Sequence, residues 1–109
     1  MNIIKIFICQ PMGGLSEEQI LQVRNNILEK CKIAFNSEVQ LIDSYLAEYK
    51  YSHPLWALGE SIKLMSTADA VILADGWDRA RGCRIEYQCA ELYDMYIYTE
   101  KDLDKCCIL

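Results

Sequence analysis

The sequence predicts an α/β domain, a parallel sheet of four or five strands with helices on both faces. Three observations carry that expectation. Short apolar runs, above all Ala70-Val71-Ile72-Leu73-Ala74, lack the polar alternation of a strand with one wet face, and strands covered on both sides have this pattern. Segments of helical spacing lie between these runs, as parallel strands require for their crossovers. The first and third runs end in polar or glycine-containing turns, Gln10 to Leu15 and Asp75 to Arg79, where α/β proteins place their ligands.

Asn2 to Cys9, rich in Ile and Phe, reads as a central strand. In the loop Gln10 to Leu15, the residues Pro11, Gly13 and Gly14 can shape a turn that brings backbone N–H groups close to a ligand. Ser16 followed by Gln19 has the spacing of a capping box, which opens a helix through Phe35 with Ile20, Val23, Ile27, Cys31 and Ala34 on its apolar face. Glu38 to Ile42 is a short second strand with Asp43 at its end, and Leu55 to Thr67 is a helix with Leu58, Ile62 and Met65 on one face. Between them, Ser44 to Pro54 holds Tyr45, Tyr49, Tyr51 and His53 without a clear period.

The third strand, Ala70 to Ala74, runs through the turn into a helix expected to open at Gly82 or Cys83. That start sets Ile85, Cys89 and Leu92 against the sheet and Glu86, Ala90 and Tyr93 on the adjoining stripe. Met95 to Tyr98 is a fourth strand, and Lys101 to Leu109 a short tail with helical character. The alternation gives a flavodoxin-like sheet in the order 2-1-3-4 with right-handed crossovers, so the loops after the first and third strands flank the topological switch point. The outer strand leaves an edge that the tail covers only in part, and self-association is expected.

At 109 residues the chain is sized for one domain, and a hydrophobic fraction of 52% with 25% charged residues is ordinary for a globular protein. The net charge of −5 argues against a grip on a nucleic acid duplex, while Arg79, Arg81 and Arg84 form a local group suited to one small anion. The six cysteines include no Cys-x-x-Cys pair, the one histidine is His53, and no leader segment is recognised before the first strand. Buried free thiols are therefore expected, with no metal site, and no apolar run approaches the ~20 residues of a membrane helix.

Glu86 is the residue that most needs explaining. In the first turn of its helix it would feel the positive end of the dipole and stay ionised, and an ionised carboxylate beside a pocket can act as a nucleophile. The plainer reading is that acidic residues stabilise first turns.

The run from Asp75 to Ala90, with Gly76-Trp77 after the strand and the spacing Gly82, Glu86, Ala90, resembles the signature of the nucleoside 2-deoxyribosyltransferase superfamily, closest to its small phage and bacterial branch. The opening Ile6-Phe7-Ile8-Cys9-Gln10-Pro11-Met12-Gly13-Gly14 is similar to that family's first strand and loop. The resemblance implies that Glu86 attacks the anomeric carbon of a 2-deoxynucleoside or its 5'-monophosphate, releasing the base, with water or a second base resolving the intermediate. It also implies a substrate crevice formed by Cys9, Gln10, Pro11, Met12, Gly13, Gly14, Trp77, Asp78, Arg79, Arg81 and Gly82. No cofactor is implied, and the location is cytoplasmic, in a host cell if the source is a phage. The expected partners are a nucleoside or nucleotide and further copies of the chain, as a dimer or higher oligomer, with no membrane. Prenylation at Cys106-Cys107-Ile108-Leu109, which fits a lipidation pattern on paper, is not expected in such a source.

Two departures from the family pattern bear on mechanism. The family's Asp in the helix before the third strand corresponds to Ser61, leaving Glu60, Asp75 or Asp78 as substitutes, and its phosphate-binding Ser corresponds to Ala80, leaving Arg79 or Arg81. The tyrosines and His53 between Ser44 and Pro54 read either as a wall against a nucleobase or as cover for a sheet edge or subunit contact. Three functions are compatible with this pattern: N-glycosidic cleavage or transfer, nucleotide binding without turnover, and a partner-interaction module.

Overall fold

The computed structural model describes residues 3–43 and 53–105. Four parallel strands, β1 (Ile3–Cys9), β2 (Glu38–Leu41), β3 (Ala70–Leu73) and β4 (Tyr96–Thr99), form one sheet in the order β2-β1-β3-β4. The described helices are α1 (Glu17–Phe35), α2 (Pro54–Met65), α3 (Arg81–Leu92) and the short α4 (Glu100–Leu103), with a 3₁₀ turn at Trp77–Arg79. This is the predicted flavodoxin-like α/β arrangement. Tyr45, Tyr49, Tyr51 and the tail from Cys106 to Leu109 lie outside the described residues.

Both faces of the sheet are dry along β3 and the carboxyl half of β1, which explains the unbroken apolar runs there. Successive residues alternate sides: Ile6, Ile8, Ala70 and Ile72 pack with Ile27, Cys31, Ala34 and Phe35 of α1 and Leu103 of α4. Phe7, Cys9, Val71 and Leu73 pack on the other side with Met65 of α2 and with Cys83 and Ala90 of α3. The order is locked where the chain enters β3. The Asp69 carboxylate accepts the Lys5 backbone N–H at 2.8 Å, and the Asp69 N–H donates to the Lys5 carbonyl at 2.8 Å.

The helix ends follow from local chemistry. Ser16 and Gln19 cap α1 reciprocally, Ser16 Oγ accepting the Gln19 N–H at 3.2 Å and Gln19 Oε1 the Ser16 N–H at 2.9 Å. Thr99 and Asp102 repeat the device at α4. Helix α2 begins at Pro54 behind His53. No helix among the described residues is long and apolar enough to cross a membrane, and the four described cysteines are free thiols.

Two helix faces differ from expectation. On α1 the buried stripe runs through Ile20, Arg24, Ile27, Cys31 and Ala34, so a guanidinium occupies a core position and Val23 lies at its margin. On α3 the residues turned inward are Cys83, Glu86 and Ala90, whereas Ile85 and Leu92 are exposed. Helix α3 opens at Arg81, and its orientation on the sheet is set by the tight approach of Cys83 and Ala90 to β1 and β3, which the larger Ile85 and Leu92 would prevent.

Ile72, fully buried on the central strand β3, should cost about 2 to 5 kcal/mol when replaced by alanine, measured by denaturant unfolding. Gly76 has φ 86°, in the left-handed region, and an added Cβ would lie 3.2 Å from Arg79 Nη2. Gly76→Ala should therefore lose ~1 to 2 kcal/mol in the same assay.

Candidate functional site

At the carboxyl ends of β1 and β3 the chain diverges, toward α1 after β1 and toward α3 after β3. The strands stay together up to that point, since the Ala74 N–H donates to the Cys9 carbonyl at 2.9 Å. Beyond it the two loops touch again, with Gly76 close enough to Pro11 that a Cβ there would sit 3.5 Å from Pro11 Cγ. The parting of the chain opens a cleft of about 1030 Å³ between the loop Gln10–Gly13, the start of α2 and the start of α3. Four exposed apolar side chains, Met12, Leu15, Leu55 and Ile85, line it. Exposed hydrophobes gathered around one concavity are the usual lining of a small-molecule site.

Glu86 lines this cleft with only 8% of its surface exposed. It is the sixth residue of α3, past the first turn, so the expectation of a dipole-held ionised carboxylate is corrected. Burial dominates, raising its pKa to about 7, while a hydrogen bond from the Cys9 thiol and the positive charge of Arg24 work in the opposite direction. The same surroundings keep the neighbouring thiols neutral: burial, with the Glu86 charge added, pushes Cys83 up to about 12 and Cys9 higher still. The result is a carboxyl poised near neutrality, between two neutral thiols and with a buried cation in its field.

The cation comes from α1. Arg24 is 2% exposed, and its Nη1 lies 3.9 Å from Asp43 Oδ1 at the end of β2. Gln10 ties the loop after β1 to the same helix, its Nε2 donating to the Ile20 carbonyl at 3.2 Å, while its buried Oε1 has no hydrogen-bond donor among the described residues. One turn of α1 thus carries both the carbonyl that anchors the β1 loop and the charge that acts on Glu86.

The residues expected from sequence divide into three groups. Gln10, Pro11, Met12, Gly13, Arg81, Gly82 and Glu86 come together on the cleft. Cys9 lies beneath it, fully buried and bonded to Glu86. Gly14, Trp77, Asp78, Arg79, Asp75 and Glu60 are not on its lining. Trp77 is instead half-buried against the α3 side of the core, its ring 4.7 Å from that of Tyr87 at 43°. Asp75 is exposed and donates its backbone N–H to Glu100 Oε1 at 3.0 Å, and Glu60 pairs with Lys63 at 3.3 Å. Ser61 and Ala80 both line the cleft, so the two positions where the sequence departs from the family pattern are on its walls.

Sequence reasoning missed Arg24 and Cys83, and it left His53 open between a wall of the site and cover for a sheet edge; the structure puts it on the cleft. Arg24 had a signal, since it stands four residues after Ile20 and three before Ile27, inside the apolar stripe. Cys83 and Ala90 stand at i−3 and i+4 from Glu86, a small-residue stripe that fits a close helix–sheet contact. His53 precedes Pro54, a pairing that suits a helix start. Compared with known proteins, the chain matches no family model, no curated protein and no solved structure.

A carboxyl whose folded pKa lies above its unfolded value stabilises the fold below about pH 4.5 and loses that contribution as pH rises through about 7. Wild-type stability should therefore fall by on the order of 3 kcal/mol across that window from this group alone. In Glu86→Gln that part of the fall should be absent, so the variant's thermal midpoint should exceed the wild type's more at about pH 8 than at about pH 5. Equal offsets at both pH values would contradict the burial assigned to this carboxyl.

Proposed function

We propose that the cleft binds a 2-deoxynucleoside or its 5'-monophosphate and that Glu86 cleaves or transfers its N-glycosidic bond. The observation that carries this reading is the position of Glu86. It is the one carboxylate among the described lining residues, at the point where the β1 loop and the start of α3 converge. Its ionised oxygen would attack the anomeric carbon, the base would leave with the electron pair of the C–N bond, and water or a second base would displace the sugar from Glu86. Arg24 and the Cys9 thiol favour the ionised form that attack requires, against the burial that opposes it. The apolar side chains Met12, Leu15, Leu55 and Ile85 suit the faces of a base and sugar, and Arg81 on the cleft wall suits a 5'-phosphate.

A second reading is nucleotide binding without turnover. Retaining glycoside cleavage ordinarily uses two carboxyl groups, and here Ser61 stands on the lining where the family resemblance calls for an aspartate. Glu60 and Asp75, the acidic substitutes outside the lining, are engaged by Lys63 and next to Glu100 respectively. Under either reading we propose a homo-oligomer in the cytoplasm, as the exposed Leu92, Tyr93 and Tyr96 beside the edge strand β4 favour a partner surface.

Base release from a panel of deoxynucleosides and their monophosphates tests the first reading. Wild type should release base with kcat/KM rising through about pH 7 as the Glu86 carboxylate forms, and Glu86→Gln should lose at least about 10³-fold. A ligand-dependent rise in thermal midpoint without base release would select the binding protein, and activity that survives Glu86→Gln would remove Glu86 from the mechanism.

A further inference from the structure

The walls of the cleft contain a second group fitted for this chemistry, one that the family resemblance does not supply. His53 sits immediately before α2 and lines the same cleft as Glu86. Its Nδ1 accepts the Leu55 backbone N–H at 3.1 Å. The reason is local. Pro54 has no N–H to offer, so Leu55 carries the first unpaired donor of α2, and the imidazole closes it as a cap. Capping fixes the tautomer: a ring nitrogen that accepts an N–H bond bears no proton, so the proton of the neutral ring resides on Nε2.

The geometry points to His53 as the hydrogen-bond donor that holds the departing base, through Nε2–H while Nδ1 stays bound to the Leu55 N–H. This assignment rests on the glycosidic reading of Glu86. Among the described residues, the other titratable or charged side chains on the cleft are Arg81, Cys83 and Glu86 itself. Glu86 is committed to the sugar, Cys83 is a weak donor from a buried thiol, and Arg81 suits a phosphate. His53 is exposed, and a ring whose Nδ1 is occupied as an acceptor can turn Nε2–H toward developing negative charge.

In the step so described, a Glu86 oxygen bonds to the anomeric carbon and the C–N bond breaks. Its electron pair passes to the base nitrogen, and the anionic base rests against Nε2–H. In hydrolysis one water then supplies its proton to the base and its hydroxyl oxygen to the anomeric carbon, which restores the Glu86 carboxylate. Nothing is oxidised or reduced, and His53 ends as it began.

The test separates this role from capping and from the role of Glu86. Asparagine is a strong helix cap, so His53→Asn retains an acceptor for the Leu55 N–H and removes Nε2–H, and its thermal midpoint should match wild type. For whichever deoxynucleoside the wild type cleaves, its rate is compared with that of a matched substrate whose base leaves more readily: the 7-methyl derivative of a purine or the 5-fluoro derivative of a pyrimidine. His53→Asn should slow the natural substrate by about 10² to 10³-fold and the activated one far less. Equal losses on both substrates, or no loss on either, would overturn the assignment while leaving Glu86 in place. Failure of wild type to cleave any of them would instead remove the glycosidic reading, and the role of His53 with it.

Discussion

The burial of the Glu86 carboxyl at the end of β1 is the constraint to which the rest of the cleft is fitted. A carboxylate taken out of water is costly unless something answers its charge. Here the answer comes from three directions: the Cys9 thiol from the strand, Arg24 from α1, and the partial opening of the cleft itself. None of these cancels the desolvation, and the group settles near neutrality with its proton easily gained or lost. A carboxyl on a fully wet surface would be ionised but unselective, and one sealed in the core would stay protonated. Carboxyls held in this intermediate state, in a cleft, are characteristic of functional sites.

The sheet order makes this placement possible. Because β1 and β3 send their chains to opposite faces, α1 and α3 approach the same end of the sheet from different sides. Gln10 joins β1 to the first turns of α1, and Asp69 joins β1 to the start of β3. With the ends of the strands held in this way, the short side chains of Cys83 and Ala90 bring α3 close to the sheet and carry Glu86 inward with them. A helix packed through Ile85 and Leu92 would stand further off and turn Glu86 aside. Those two larger residues are left exposed, Ile85 on the cleft and Leu92 near the outer strand.

The strands, their order, the capping box at Ser16 and the convergence of the two loops were all legible in the residues, because each depends on local pattern or on a topology that such patterns rarely escape. Trp77 and Asp75 were not. Both stand in a polar turn that the sequence places near the switch point. Whether a turn residue faces the cleft or the core depends on the 3₁₀ geometry at Trp77–Arg79 and on the Tyr87 ring that receives the indole. Arg24 was visible as a charge within an apolar stripe, yet spacing alone does not separate a buried guanidinium from one that reaches past the helix edge to solvent.

What the sequence by itself determined is the frame: two-sided strands, helices between them, and a glycine-bearing loop set against the helix that carries Glu86. Those features follow from hydrophobic period and turn chemistry, which act between near neighbours. The protonation of that glutamate, the choice of Arg24 as its counter-charge and the joining of His53 to the same cleft were decided only in the tertiary structure. Desolvation and charge interaction depend on distances between residues far apart in the chain, and no periodicity encodes them.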